Sequence, residues 1–304
     1  MSRSSHTDHE RIIRVTVDER SHPGLADLVA DRMWSWGVRG VEERTLDDGH
    51  QQLSTSVGNH GDSIARALST LDPSWNWSVD DVDATQADDW KRFAQPIRCR
   101  DDIVIVPAWL DDVTDNEGLT IRIEPGASFG LGDHPTTRSS VRALADELDA
   151  RADAGAPTES VLDVGCGSGV LAILAAIAGV PVVRAIDVAG AAVTATGDNA
   201  ERNGVGGRIA VDDTEAGELP QPTGGYDVIV ANILAPVLLS MAADLRRLLA
   251  DDGTLIISGI LSEGHGHGHA HVLRALAPLR PDSTIDDDGW ATVTLRPTAS
   301  NASP

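Results

Sequence analysis

The chain has 304 residues, of which 41% are apolar and only 3% aromatic, and its 24 Lys and Arg face 47 Asp and Glu for a formal charge of −23. That length allows about two domains, with an interior resting on Val, Ile, Leu and Ala. The charge argues against a surface for phosphate backbones or anionic membranes, which needs clustered Lys and Arg, and favours a neutral or basic partner.

Residues 1–10 (MSRSSHTDHE) are polar, with no apolar stretch of a secretory signal. Residues 12–17 then alternate as a strand, 24–36 carry apolar residues at helical spacing (Leu25, Leu28, Val29, Met33), and 38–45 read as a second strand. Asp48-Gly49 is a hairpin signal leading to a third strand over 51–57. A short helix over 63–71 and a strand at Trp75, Trp77 and Val79 complete the order β-α-β-β-α-β. This order over 11–82 predicts a small α+β, ferredoxin-like domain.

Residues 83–126 read as a linker region with Trp90, Phe93, an extended stretch over 103–109, an acidic loop over 111–117 and a strand-like 119–123. Six of the seven tryptophans fall at or before Trp109, and their large rings are expected in cores. The two cysteines, Cys99 and Cys166, are too few for a disulfide framework, which favours a reducing, cytoplasmic setting. The longest apolar run, 170–183, is broken by Gly179 and Pro181, short of the roughly 18 residues of a membrane span.

From residue 157 the pattern becomes alternating strand and helix. Strands are predicted over 161–164, 182–187, 209–211, 227–231, 254–258 and 291–295, and helices over 170–178, 189–203, 234–250 and 270–277. Repeated βα units imply a parallel sheet with helices on both faces, an α/β domain.

Four features in this half point to chemistry. The first is VLDVGCGSG, Val161 to Gly169, in which a buried strand enters a turn with glycines at 165, 167 and 169. This G-x-G-x-G departs from the G-x-G-x-x-G of a dinucleotide site and lacks the Gly-Lys-Ser/Thr end of a phosphate loop. Bare backbone there suits a compact nucleoside such as S-adenosylmethionine. The second is Asp187, 22 residues after Gly165 at the end of the next strand, where a carboxylate can accept both ribose hydroxyls or simply cap the following helix. The third is Asn232 in ANILAP, placed beyond a strand end where open α/β sheets bind ligands, or as a helix cap. The fourth is the glycine-rich stretch from Gly126 to Thr137, which reads as a flap over the cofactor, with Thr136 and Thr137 able to cap the next helix.

FGLGDHPTTR, VLDVGCGSGVLAI, AIDV, DNAERNGV and VIVANILA together resemble the PrmA-type ribosomal protein L-eleven methyltransferases. The likeness covers about residues 90–259. It implies a class I, Rossmann-like methyltransferase domain (127–297) behind a smaller N-terminal substrate-recognition domain. It also implies a cytoplasmic enzyme that uses S-adenosyl-L-methionine to methylate amino groups, mainly lysine, of a large-subunit ribosomal protein. Cofactor contacts carry over onto Thr137, Gly165, Asp187 and Asn232. Leu131 and Asp133 stand where the family commonly has Thr, and the N-terminal domain matches poorly.

A lysine ammonium must lose its proton before attacking a methyl group, and the sequence names no general base. His134, before a proline, reads as structural. The GHGHGHAH run at 264–271 reads as a flexible loop rather than a catalytic metal site, and Cys166 as a packing residue. The chain is expected to be a monomer without nucleic-acid or membrane contacts. Two other readings stay open: an N-methyltransferase of other substrates, and a non-catalytic ribosome-associated binding module.

Overall fold

A computed structural model describes residues 9–18, 20–21, 25–34, 36, 38, 41–46, 48–57, 61–83, 94–110, 118–124, 134–264 and 268–298. The expected loop over 126–133, the acidic loop over 111–117, residues 84–93 of the linker with Trp90 and Phe93, and His265 and His267 lie outside them. The chain forms two compact units that divide at Gln95.

The first unit comprises β1 (His9–Val17), α1 (Leu25–Trp34), β2 (Glu42–Thr45), β3 (Gln51–Ser56), α2 (Gly61–Ser69) and β4 (Asn76–Asp83). Its four-stranded sheet runs β2-β3-β1-β4, every neighbour antiparallel. Ile13, Val15 and Val17 point to one face and are buried with Leu53, Val29 and Met33. Of the alternate residues Ile12 is half-buried and Arg14 and Thr16 are polar, and Arg14 pairs with Asp80 across to β4. Gly49 takes the left-handed conformation (φ 83°) in the turn before β3. Trp75 packs against this core, but Trp77 remains 42% exposed, so the expectation of buried tryptophans fails there.

The second unit opens with β5 (Ile97–Arg100), β6 (Ile103–Pro107) and β7 (Leu119–Ile123), a three-stranded sheet whose central β6 is buried throughout. Then come α3 (Pro135–Asp153), β8 (Ser160–Val164), α4 (Val170–Ile177), β9 (Val182–Ile186), α5 (Gly190–Arg202) and β10 (Ile209–Asp212). β11 (Tyr226–Asn232), α6 (Ala235–Leu248), β12 (Leu249–Leu261), α7 (Ala270–Ala275), β13 (Arg280–Asp287) and β14 (Trp290–Arg296) complete it. The seven-stranded sheet has the order β10-β9-β8-β11-β12-β14-β13. Strands from β10 to β12 are parallel, and they read as near-continuous apolar runs because both faces are covered. Val161, Val183, Val228 and Ile256 face α3 and α4, while Leu162, Ile186, Ile229 and Ile257 face α6. On the first face the buried Glu147 of α3 bonds Arg296 at 2.6 Å and Thr254 at 2.7 Å.

The parallel expectation fails at one edge. β14 runs antiparallel to β12, and β13 antiparallel to β14. The β13-β14 turn is Asp288-Gly289, both at positive φ (51° and 81°), the conformation of a two-residue hairpin. β13 escaped the apolar pattern because it is a largely exposed edge strand, RPDSTIDD. Among the described residues, no helix is long and apolar enough to cross a membrane.

Candidate functional site

The sheet changes direction between β8 and β11: the chain proceeds outward through β9 and β10 on one side, then returns to β11 on the other. Ligands of open α/β sheets lie beyond the carboxyl ends of the strands at such a point. Three of the four expected residues stand there.

Gly165 follows β8 with φ 72°, Gly167 has φ 55° and Gly169 has φ 83°. All three are conformations that side-chain-bearing residues avoid. A Cβ on Gly165 would sit 2.4 Å from Ile233 Cγ2, so the β8 turn and the segment after β11 are in close contact. Gly259 of β12 (φ 78°) closes the same corner, since a Cβ there would meet the Ile233 carbonyl oxygen at 2.6 Å. Gly165→Ala should therefore lower stability by about 2 kcal/mol, from left-handed strain plus the displaced Ile233. Urea unfolding checks it, and a loss below about 0.5 kcal/mol would show that the turn relaxes freely.

Asp187 follows β9 and reaches across to the same turn. Its Oδ2 accepts from the Gly167 N–H at 3.1 Å and its Oδ1 from the Ala189 N–H at 2.9 Å. It does not cap α5, whose N-cap is Ala189. A carboxylate has about four lone-pair positions, so a fixed Asp187 keeps capacity for two further donors. Val188, next to it, is 75% exposed despite being apolar.

Asn232 ends β11, half-buried and paired with Ser258 of β12. It is not a cap either: α6 has Leu234 as its N-cap, with Pro236 in its first turn. Thr137 sits in the first turn of α3, 1% exposed, with a hydroxyl that lacks a protein partner. The N-cap of that helix is His134, whose Nδ1 accepts from the Thr136 N–H, so neither threonine caps it. The imidazole also packs edge-on against Trp290 at 5.0 Å. Among the described residues, no hydrogen bond joins Thr137 to the other three. The Thr136 carbonyl beside it accepts at 3.5 Å from the hydroxyl of Ser258, the β12 residue paired with Asn232.

The electrostatics are unlike those of a phosphate cradle. Loop amides are already engaged: Gly165 and Cys166 donate to Ile186 O, Gly167 to Asp187 and Gly169 to Cys166 O. Within the first turn of α4, the Ala172 N–H donates to Asp163 Oδ2 at 3.1 Å. A carboxylate thus already occupies the position where a phosphate would bind. Asp163 is 1% exposed, its Oδ1 has no protein partner, and burial, aided by the charge of Asp187, pushes its carboxyl up to about 7. Asp187, the more accessible of the two carboxyls, is the one placed to meet a ligand's hydroxyls, while Asp163 lies buried beneath the turn. Burial also pushes the Cys166 thiol far up, which leaves it inert.

Among the described residues, no cluster of His, Cys, Asp or Glu could hold a metal. His269 is buried with Nδ1 3.0 Å from Leu261 O.

A family model described as Ribosomal protein L11 methyltransferase (PrmA) matches residues 53–298. The chain is 38% identical over 283 residues to a Ribosomal protein L11 methyltransferase of Thiobacillus denitrificans, covering 90% of this chain and 84% of that one. It is 42% identical over 177 residues to one from a Geobacter species, covering 58% of this chain; the match spans only 56% of that relative's length. A crystal structure of a ribosomal protein L11 methylase from Lactobacillus delbrueckii subsp. bulgaricus superposes with a TM-score of 0.57 at 31% identity, over 67% of this chain and all of that one.

Proposed function

The chain belongs to the ribosomal protein L11 methyltransferase (PrmA) family, and from that premise we propose that it transfers methyl groups from S-adenosylmethionine to amino groups of ribosomal protein L11, mainly lysine ε-amines. The observation that carries the reading is Asp187, fixed by the Gly167 and Ala189 amides at the switch point with acceptor capacity to spare. Its carboxylate would take both ribose hydroxyls. Val188 would lie against the adenine, the bent backbone at Gly165 would pass under the amino-acid part, and Thr137 would offer its unpartnered hydroxyl. The engaged loop amides and the Asp163 carboxyl at the first turn of α4 disfavour a diphosphate, which leaves a nucleoside without one.

Bound there, S-adenosylmethionine supplies an electrophilic methyl group on a good neutral leaving group. The protein's part is then alignment and exclusion of water. A free lysine has a pKa near 10.4, so only about one in a thousand carries a lone pair at neutral pH. A dry site lowers that value. The Asn232 side-chain carbonyl, at the mouth of β11, would accept a hydrogen bond from the amine and hold its lone pair in line. No side chain is assigned as general base.

The unit before residue 95 has the strand order of a ferredoxin-like fold, and we assign residues 11–82 as the substrate-recognition domain and 127–297 as the catalytic domain; of the linker expected over 83–126, the strands β5, β6 and β7 pack with the second unit. We further propose a cytoplasmic monomer that touches neither nucleic acid nor membrane, its −23 charge drawing in a basic ribosomal protein.

Titration calorimetry with S-adenosylmethionine and intact mass of ribosomal protein L11 test this together. Binding plus mass gains in multiples of a methyl group are expected. Binding with an unmodified L11 would leave a methyltransferase of another substrate, and absence of binding at millimolar ligand would leave a non-catalytic module.

A further inference from the structure

Asn199 in α5 and Asn203, which caps its C-terminus, stand one turn apart, and both bond β7 or the residue after it along the edge that faces away from β6. Asn203 Oδ1 accepts from the Arg122 N–H at 2.8 Å, and its Nδ2 donates to Arg122 O at 2.7 Å. Asn199 repeats the pattern two residues on, with Oδ1 accepting from the Glu124 N–H and Nδ2 donating to Glu124 O, both at 2.9 Å. The match is geometric. Four helical residues rise about 6 Å and two strand residues about 6.6 Å, so a pair of carboxamides stands in for a neighbouring strand.

Asn199 does more than Asn203. Its Nδ2 also donates to Ser168 O at 2.9 Å, inside the glycine turn, and its Oδ1 also accepts from Arg202 at 2.7 Å. Both donors and both acceptor positions are used, and the residue is fully buried. One side chain thereby joins the turn under the proposed cofactor to the end of β7.

Resting on the cofactor reading above, we propose that Asn199 is a positioning residue for S-adenosylmethionine: it locks the Gly165–Gly169 turn to Glu124, so that ordering of one orders the other. Asn199→Asp keeps the shape but removes both N–H donors and sets an acceptor oxygen against the Glu124 and Ser168 carbonyl oxygens. That variant should bind S-adenosylmethionine at least tenfold more weakly, the effect of one mispaired buried group, with kcat at saturation within about threefold. Asn203→Ala releases the Arg122 backbone but leaves the Asn199 bonds to Glu124 and Ser168, and should bind within about threefold of the wild type. Hydrogen exchange supplies a readout in the unaltered protein: adding S-adenosylmethionine should slow exchange of the Glu124 amide together with the glycine turn.

Binding by Asn199→Asp within twofold of wild type, an equal loss in Asn203→Ala, or an unchanged Glu124 amide on ligand addition would each overturn the proposal. Should Asn199→Asp fail to fold, the wild-type exchange measurement alone decides. Wild-type protein that binds no S-adenosylmethionine would overturn the cofactor reading itself.

Discussion

Asp187→Ala should weaken S-adenosylmethionine binding by about a hundredfold. Two hydrogen bonds from ribose hydroxyls to a charged acceptor contribute about 1.5–3 kcal/mol each, and about 3 kcal/mol corresponds to two decades of Kd. Asp187→Asn keeps one acceptor oxygen and should lose about tenfold. Both variants disturb the Gly167 and Ala189 amides, which the native carboxylate accepts. Binding is therefore measured by calorimetry well below each variant's Tm. Asp187→Ala binding within threefold of the wild type would remove the sugar from this carboxylate.

The second large effect is on stability. Asp163 titrates at about 7 in the folded protein, because burial disfavours its charge and Asp187 repels it, against 3.8 when unperturbed. Below pH 3.8 the carboxyl is neutral in both states, and its favourable contribution is complete. As pH rises toward 7, the unfolded chain releases this proton and the folded one retains it, so stability falls by about 1.4 kcal/mol per pH unit. Asp163→Asn cannot titrate. Relative to that variant, the wild type should lose about 3 kcal/mol between pH 4.5 and pH 8, read from urea unfolding of the ligand-free protein. A difference independent of pH would mean that the carboxyl is already ionised in the fold.

The parallel part of the sheet was legible because each strand, such as Val161–Val164, is a short apolar run followed by a helix. Gly165, Asp187 and Asn232 were legible as a set through their shared place at strand ends. Thr137 was reached through family resemblance, since nothing local separates a buried threonine from a capping one. What the sequence concealed was solvent-facing or long-range. β13 has polar composition, and only Asp288-Gly289 marked its turn. The span over 97–123 looked like connection because its three strands are short and one pairs in parallel. Asn199 and Asn203 were visible in DNAERNGV, but their meaning depends on an edge about 80 residues away, which no local pattern contains.

The place of β14 has a consequence for the order of assembly. It sits between β12 and β13, its Thr292 hydroxyl lies 2.6 Å from both Ser139 and Ser258, and its Arg296 clasps Glu147. β14 thus fastens α3, an element that precedes it by well over a hundred residues. While the chain is still leaving the ribosome, β12 presents an unpaired, apolar border and Glu147 lacks its counter-ion, a state prone to sticking. This unit closes only after residue 296 has been synthesised, whatever the state of the unit before it.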